Sequence, residues 1–156
     1  MFFGRGGFGR QCPSNASARL FGGRTIHNSI GLNATSSVKV EHLGLKGKTK
    51  TKIVKITAPA AALAFDEVSQ MPATMLHANA VRHTHGRARE HGLRVDEYMK
   101  VNELFGRMPV VLLSGDYLQL SPLPESASVL WPALGAANEN RQGKALISSV
   151  PLVYEF

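Results

Sequence analysis

The residues best suited to chemistry are two acidic clusters, each closing an apolar run. Asp66–Glu67 follow Ala60–Phe65, and Asp116 follows Val110–Leu113 through Ser114–Gly115. An adjacent Asp-Glu pair can hold a divalent cation through one carboxylate while the other orients or deprotonates an attacking water. The two must be neighbours, because metal and water sit side by side at the terminal phosphate of a nucleotide. Gln119 stands three residues beyond Asp116. Its amide both donates and accepts hydrogen bonds, so it can touch a phosphate oxygen and register its presence. Taken singly, each motif has a plainer use. Asp66–Glu67 also suits a polar strand end capping a helix, and Ser114–Asp116 a tight turn with a helix cap.

Both apolar runs read as short buried strands. Ala60–Phe65 is alanine-rich, and Ala is a weak strand former, whereas Val110–Leu113 has β-branched residues. Met71–Arg89 reads as a helix between them. Asp96–Arg107 reads as another, because Val101, Leu104, Phe105 and Met108 follow the i, i+3, i+4, i+7 rule. Upstream, Ser14–Leu20 suits a short helix with Ser14 as N-cap, stopped by Gly22–Gly23. Thr25–Leu32 is apolar with polar interruptions and fits no one type. Lys46–Lys55 reads as a basic, exposed segment, and His42–Thr49, which overlaps it, as a lysine-rich surface loop. Strands separated by helices predict an α/β fold with a parallel sheet, whose ligands bind outside the carboxyl ends of the strands.

The 156 residues are 44% hydrophobic and 19% charged, which supplies a core and argues against wholesale disorder. The formal charge of +7 is uneven: residues 1–56 hold ten basic and one acidic side chain, and the remainder eight and ten. A basic first third on a near-neutral remainder suits a polyanion partner. The single Cys12 excludes an internal disulfide framework and a Cys-based zinc site, and is read as structural, with no disulfide-linked partner. No apolar run approaches the ~18 residues of a membrane span. No apolar h-region follows Met1, so secretion is not expected. The first 40 residues lack Asp and Glu and carry Arg5, Arg10, Arg19 and Arg24, as an organelle transit peptide would, but the glycines oppose an amphipathic helix.

"FDEVSQM" followed by "MPVVLLSGDYLQLSPLPE" resembles motifs II and III of the PIF-type DNA helicases, in the RecD-like branch of helicase superfamily 1. Upstream, "CPSNASARLFGGRTIHNSIGL" (Cys12–Leu32) resembles the family's DNA-contacting motif. The tail "ENRQGKALISSVPLVYEF" loosely resembles the end of the first motor domain. The resemblance implies an incomplete RecA-like P-loop NTPase domain, and ATP hydrolysis coupled to DNA unwinding in repair, recombination or genome maintenance. ATP and Mg²⁺ would be the cofactors and single-stranded or forked DNA the partner. Asp66 would ligate Mg²⁺, Glu67 would be the catalytic base, Gln119 would sense the γ-phosphate, and Asp116 would support that loop. Ser14, Asn15, Thr25 and His27 would lie near DNA. Tyr117 and Ser121 stand where Phe and Pro are usual. A nuclear or mitochondrial location is expected in a eukaryote, and a cytoplasmic one otherwise.

A helicase also needs a phosphate loop of the form G-x-x-x-x-G-K-[ST]. His42–Thr49 ends in Gly-Lys-Thr but begins with His and lies in the wrong order. Gly4–Gln11 is the better match, with Gly4, Gly7, Gly9 and Arg10 as phosphate-binding candidates. Arg10 stands for Lys and Gln11 for the hydroxyl, and the helix and strand that should follow have no room. The expectation is therefore a truncated phosphate-loop remnant over residues 1–11, joined near Arg10–Cys12 to a partial first motor domain over residues 12–156. Such a chain is not expected to unwind DNA alone. Two alternatives stand beside this: an Arg/Gly-rich tail over Phe2–Arg10, and a non-catalytic nucleic-acid-binding protein using the basic first third. His77, His83, His85 and His91 are read as a solvated helix end rather than a metal site, and Trp131 as packing. The lysines of residues 46–55 suit a nucleic-acid path or a solvated face equally.

Overall fold

The computed structural model describes residues 7–32, 47–88, 104–116 and 145. Four strands run parallel: β1 (Gly7–Cys12), β2 (Arg24–Thr25), β3 (Ala60–Phe65) and β4 (Val110–Leu113), in the order β2-β1-β3-β4. The helices are α1 (Asn15–Leu20), α2 (Ile26–Ile30), α3 (Gly47–Thr57), α4 (Ala73–Ala88) and the short α5 (Leu104–Arg107). The expected α/β fold with a parallel sheet is met, with β3, β4 and α4 where the sequence places them.

Local chemistry explains the short elements. Ser14 Oγ accepts from Ser17 N and caps α1, as expected, and Gly22 follows at φ 67°. Gly23 lets the chain turn against β1, since a Cβ there would lie 2.6 Å from the Arg10 carbonyl. The unassigned Thr25–Leu32 segment begins at the end of β2. Thr25 Oγ1 caps α2 by accepting from Asn28 N. Left-handed Gly31 then ends the helix.

Side chains alternate across β1, so Arg10 and Gln11 point to opposite faces. Arg10 donates to the Phe21 carbonyl after α1, while Gln11 reaches Asn79 on α4. Helices thus cover both faces: α1 on one, and α4 with its neighbours on the other. Leu63 and Phe65 join Ile26, Ile30, Ile53, Met71, Leu76 and Phe105 in the core beneath α4.

Five expectations are corrected. Gly7–Cys12 is a strand, not a loop. Gly9 is small for packing, since a Cβ would lie 3.1 Å from Leu63 Cδ1. The lysine-rich segment is a helix from Gly47, because Ile53 and Thr57, one turn apart, pack against α4 at Gly86. Among the described strands β4 stands last in the sheet, and it is half-exposed rather than buried: Val111 and Leu113 face the core, but Val110 and Leu112 are 45% and 52% exposed. Phe105 and Gly106 take left-handed angles, so the periodic pattern does not end there as continuous helix. Phe105 and Met108 are nevertheless buried, as that pattern required. Most of Asp96–Arg107 lies outside the described residues, as does Trp131.

The fifth correction concerns the histidines. His77 and His83 are buried, not solvated, and His85 is half-buried; His91 lies outside the described residues. Helix α4 buries almost its whole circumference, so its polar side chains need internal partners. Arg87 donates from Nε to the Gly106 carbonyl and from Nη1 to the carbonyls of Thr57, Ala58 and Ala60. One guanidinium thereby ties α5, the end of α3 and the start of β3 to α4.

Candidate functional site

The strand order reverses between β1 and β3. From β1 the chain moves outward to β2, then crosses to β3 and on to β4. Open α/β sheets bind ligands outside the carboxyl ends of their strands at such a point. Here that edge carries Cys12 as the last residue of β1, Asp66–Glu67 after β3 and Ser114–Asp116 after β4.

Three hydrogen bonds fix this edge. Asp66 N donates to the Gln11 carbonyl at 3.0 Å, Ser114 N to the Phe65 carbonyl at 2.9 Å, and Val68 N to the Ser114 carbonyl at 2.9 Å. Ser114 Oγ adds a bond to Asp66 Oδ1 at 3.2 Å. Glu67 sits at φ 55°, ψ 43°, a left-handed conformation uncommon outside glycine, and begins the 3₁₀ turn Val68–Gln70. The turn is pressed against the β4 loop. A Cβ on Gly115 would lie 2.9 Å from Val68 Cγ2 and 3.0 Å from Ser69 N. Asp116 is exposed beside this contact. The carboxylate pair and the loop after β4 are thus one packed unit, which the sequence could only place on a common edge.

Beneath the pair, Cys12 is wholly buried. Burial, and then the negative charge of Asp66 and Glu67, push its thiol up to about 11. Gln11 is held by a buried polar clamp. Its Oε1 accepts from Asn79 Nδ2 at 2.6 Å, and its Nε2 lies 3.2 Å from His83 Nε2. His83 Nδ1 lies 2.9 Å from the Asn79 carbonyl, which can only accept. The ring proton is therefore on Nδ1, and Nε2 accepts from Gln11. Because the Gln11 carbonyl takes the Asp66 N–H, this clamp also positions Asp66.

Ser14 and Asn15 lie at the start of α1, and Thr25 and His27 at the start of α2, both just beyond the carboxyl ends of the sheet. The Ser14 and Thr25 oxygens serve as helix caps. Burial lowers the pKa of half-buried His27. Asn15 is exposed. Gln119 and Gly4 lie outside the described residues. The sequence shows Ser114 and Gly115 only as a turn leading to Asp116, and gives no sign of the Gln11–Asn79–His83 clamp. The clamp joins positions 68 and 72 residues apart and leaves no local signal.

Mg²⁺ takes one or two protein carboxylates and completes its shell with water and phosphate oxygens. The Asp66–Glu67 pair fits that donor set. The phosphate-cradle candidates do not fit their expected task. A cradle converges successive N–H groups on one anion. Gly7, Gly9 and Arg10 instead run extended and pair with β3, so successive N–H groups point to opposite sides. The Arg10 guanidinium lies 5.5 Å and 5.7 Å from the ring centroids of Phe8 and Phe21.

Four parallel strands, helices on both faces and carboxylates at the switch point define a partial RecA-like domain. Solved Pif1 helicases share this fold. The Bacteroides enzyme in complex with ADP-AlF3 and single-stranded DNA superposes with a TM-score of 0.56 at 20% identity, over 81% of this chain and 26% of that one. Bacteroides Pif1 bound to single-stranded DNA gives 0.55 at 20% identity, over 90% and 26%. Pif1 from Candida albicans gives 0.52 at 20% identity, over 78% and 24%. The chain thus spans about a quarter of the length of the structures it matches. No protein-family model and no curated protein matches it.

Proposed function

We propose that the chain is a segment of an ATP-dependent DNA helicase motor, carrying the metal-carboxylate part of the nucleotide site and part of the DNA-contacting edge. The observation that carries this is Asp66–Glu67 at the switch point of a fold shared with Pif1 helicases. In that reading Asp66 holds Mg²⁺, which would neutralise charge developing on the phosphates. Glu67 accepts the proton of the attacking water. Ser114 orients Asp66, and the Gly115 contact transmits movement of the β4 loop, where Asp116 and Gln119 would answer to the phosphate, to the Glu67 turn. Thr25, His27, Ser14 and Asn15 face the strand of DNA. Repair or recombination is the setting this chemistry would serve.

A fluorescent ADP analogue tests the metal assignment. Mg²⁺ should tighten its binding to the wild-type chain, and Asp66→Asn should remove that dependence while Glu67→Gln keeps it. Any ATP turnover of the chain with single-stranded DNA should fall about 10²- to 10⁴-fold in Glu67→Gln. Mg²⁺ dependence surviving in Asp66→Asn, or turnover indifferent to Glu67→Gln, would remove the assignment. The alternative, nucleic-acid binding without catalysis, draws on the extended Gly7–Arg10 segment, which does not cradle phosphate. Salt-dependent DNA binding indifferent to ATP and Mg²⁺ would favour it.

A further inference from the structure

Helix α3 carries Lys48, Lys50, Lys52 and Lys55 on eleven residues, and all four are exposed. Lys48, Lys52 and Lys55 are spaced by four and three residues and so share one helix face. Lys50 projects toward α4, where its charge and that of Arg82 join burial in holding down the pKa of His85. The described residues contain three carboxylates, Asp66, Glu67 and Asp116, all at the ends of β3 and β4. Among the described residues, none of the α3 lysines has a carboxylate partner. Among the described residues these cations are therefore concentrated on one element, apart from the carboxylates.

Their position is fixed from below and from the side. Ile53 and Thr57 anchor α3 to α4 at Gly86. Lys52 Nζ donates to Asn28 O at 3.1 Å and to Asn28 Oδ1 at 2.9 Å. This clasp sets the lysine face directly beside α2, whose first turn holds Thr25 and His27. The lysine row thus adjoins, through Asn28, the start of α2 at the carboxyl edge of the sheet.

We propose that the lysine face of α3 is a nucleic-acid backbone contact, continuous through Asn28 with the start of α2, that holds phosphates by charge without reading sequence. The inference deepens the nucleic-acid half of the proposed function and rests on it only for the continuity with Thr25 and His27. Length, chemistry and the disposition of the apolar side select the partner. The Lys48–Lys55 row spans about 10 Å of helix axis, comparable to three phosphates at about 3.4 Å per strand step. Lysine is a flexible point charge, suited to backbone positioning rather than to base recognition. The face is also wrong for a lipid surface. A membrane-lying helix turns its apolar side outward to the bilayer, whereas the apolar side of α3 is spent on the core through Ile53.

The test is fluorescence anisotropy of a labelled thymidine oligonucleotide on the full chain across a salt series. Wild type is compared with K48Q/K55Q and K48R/K55R, after thermal melts show that all three fold alike. Losing two cations of the face should lower the slope of log affinity against log salt by about 1.4, and weaken binding at low salt by roughly tenfold. The arginine variant should keep both. An unchanged slope and affinity in the glutamine variant would overturn the proposal. So would lysine-dependent binding of polyglutamate, or of vesicles containing phosphatidylserine, that exceeds binding of the oligonucleotide. Mg²⁺-dependent nucleotide binding is read separately on the same proteins. Its absence counts against Asp66, whereas an unaltered salt slope counts against the lysine face.

Discussion

His83 illustrates how a residue that reads as solvent-facing becomes structural. Its ring is buried between Gln11 and Phe105, with the Phe105 centroid 6.1 Å away in an edge-on arrangement. Burial pushes its pKa down to about 4, Arg87 adds to that, and the bond to the Asn79 carbonyl opposes it. The unfolded chain, at about 6.5, therefore binds more protons than the folded one between those two values. Stability should be whole above pH 6.5 and fall as the pH drops toward 4, by roughly 3 kcal/mol from this group. Urea midpoints at several pH values check it. Buried His77 moves in the same direction, so His83→Gln should flatten the dependence without abolishing it. At this scale, Ser14 as an N-cap and Asp66–Glu67 at a strand end were legible, because each acts on its immediate neighbours. The buried histidines were not, because spacing along a helix says nothing about what covers it.

Among the elements, the junction of α3, α4 and β3 depends on Arg87. Its guanidinium takes the backbone carbonyls that close α3 and open β3, together with that of Gly106. Arg87→Met keeps much of the apolar stem but leaves those carbonyls without their donor. The expected cost is about 2–5 kcal/mol, seen as a lowered melting temperature. A change far smaller than that would mean that water satisfies the carbonyls and that the arginine is not the tie. Helix α3 itself escaped the sequence reading. Its alternation of Lys and Thr has no helical apolar stripe before Ile53, and a single turn of contact with Gly86 decides its type.

For the whole molecule, the sheet divides stability unevenly. Leu63 is 1% exposed between β1 and α4, whereas Leu112 on β4 is 52% exposed. Leu63→Ala should cost about 2–5 kcal/mol, and Leu112→Ser should stay within about 0.5 kcal/mol. Denaturant melts of the two variants distinguish a core centred under α4 from one spread evenly over both faces. The same asymmetry accounts for the site. The carboxylates stand where β1 and β3 meet, over the best-packed part of the fold. The α3 lysines lie on its outer helical layer, so the charge division visible in the sequence becomes a division in space.

By itself, the sequence determined the elements whose signals are local: the apolar run Ala60–Phe65 with its acidic end, the helix after Met71, the cap at Ser14 and the strand Val110–Leu113. These rest on periodicity and on bonds between near neighbours, which a linear reading can follow. Only the tertiary structure decided that Gly7–Cys12 is a strand, that β4 is half-exposed and that α4 is buried. A parallel strand is paired with partners far along the chain. The identity of β1 is therefore stored in Arg24–Thr25 and Ala60–Phe65 as much as in its own glycines. What looked like a phosphate loop became the strand that, through the Gln11 carbonyl, holds Asp66 in place.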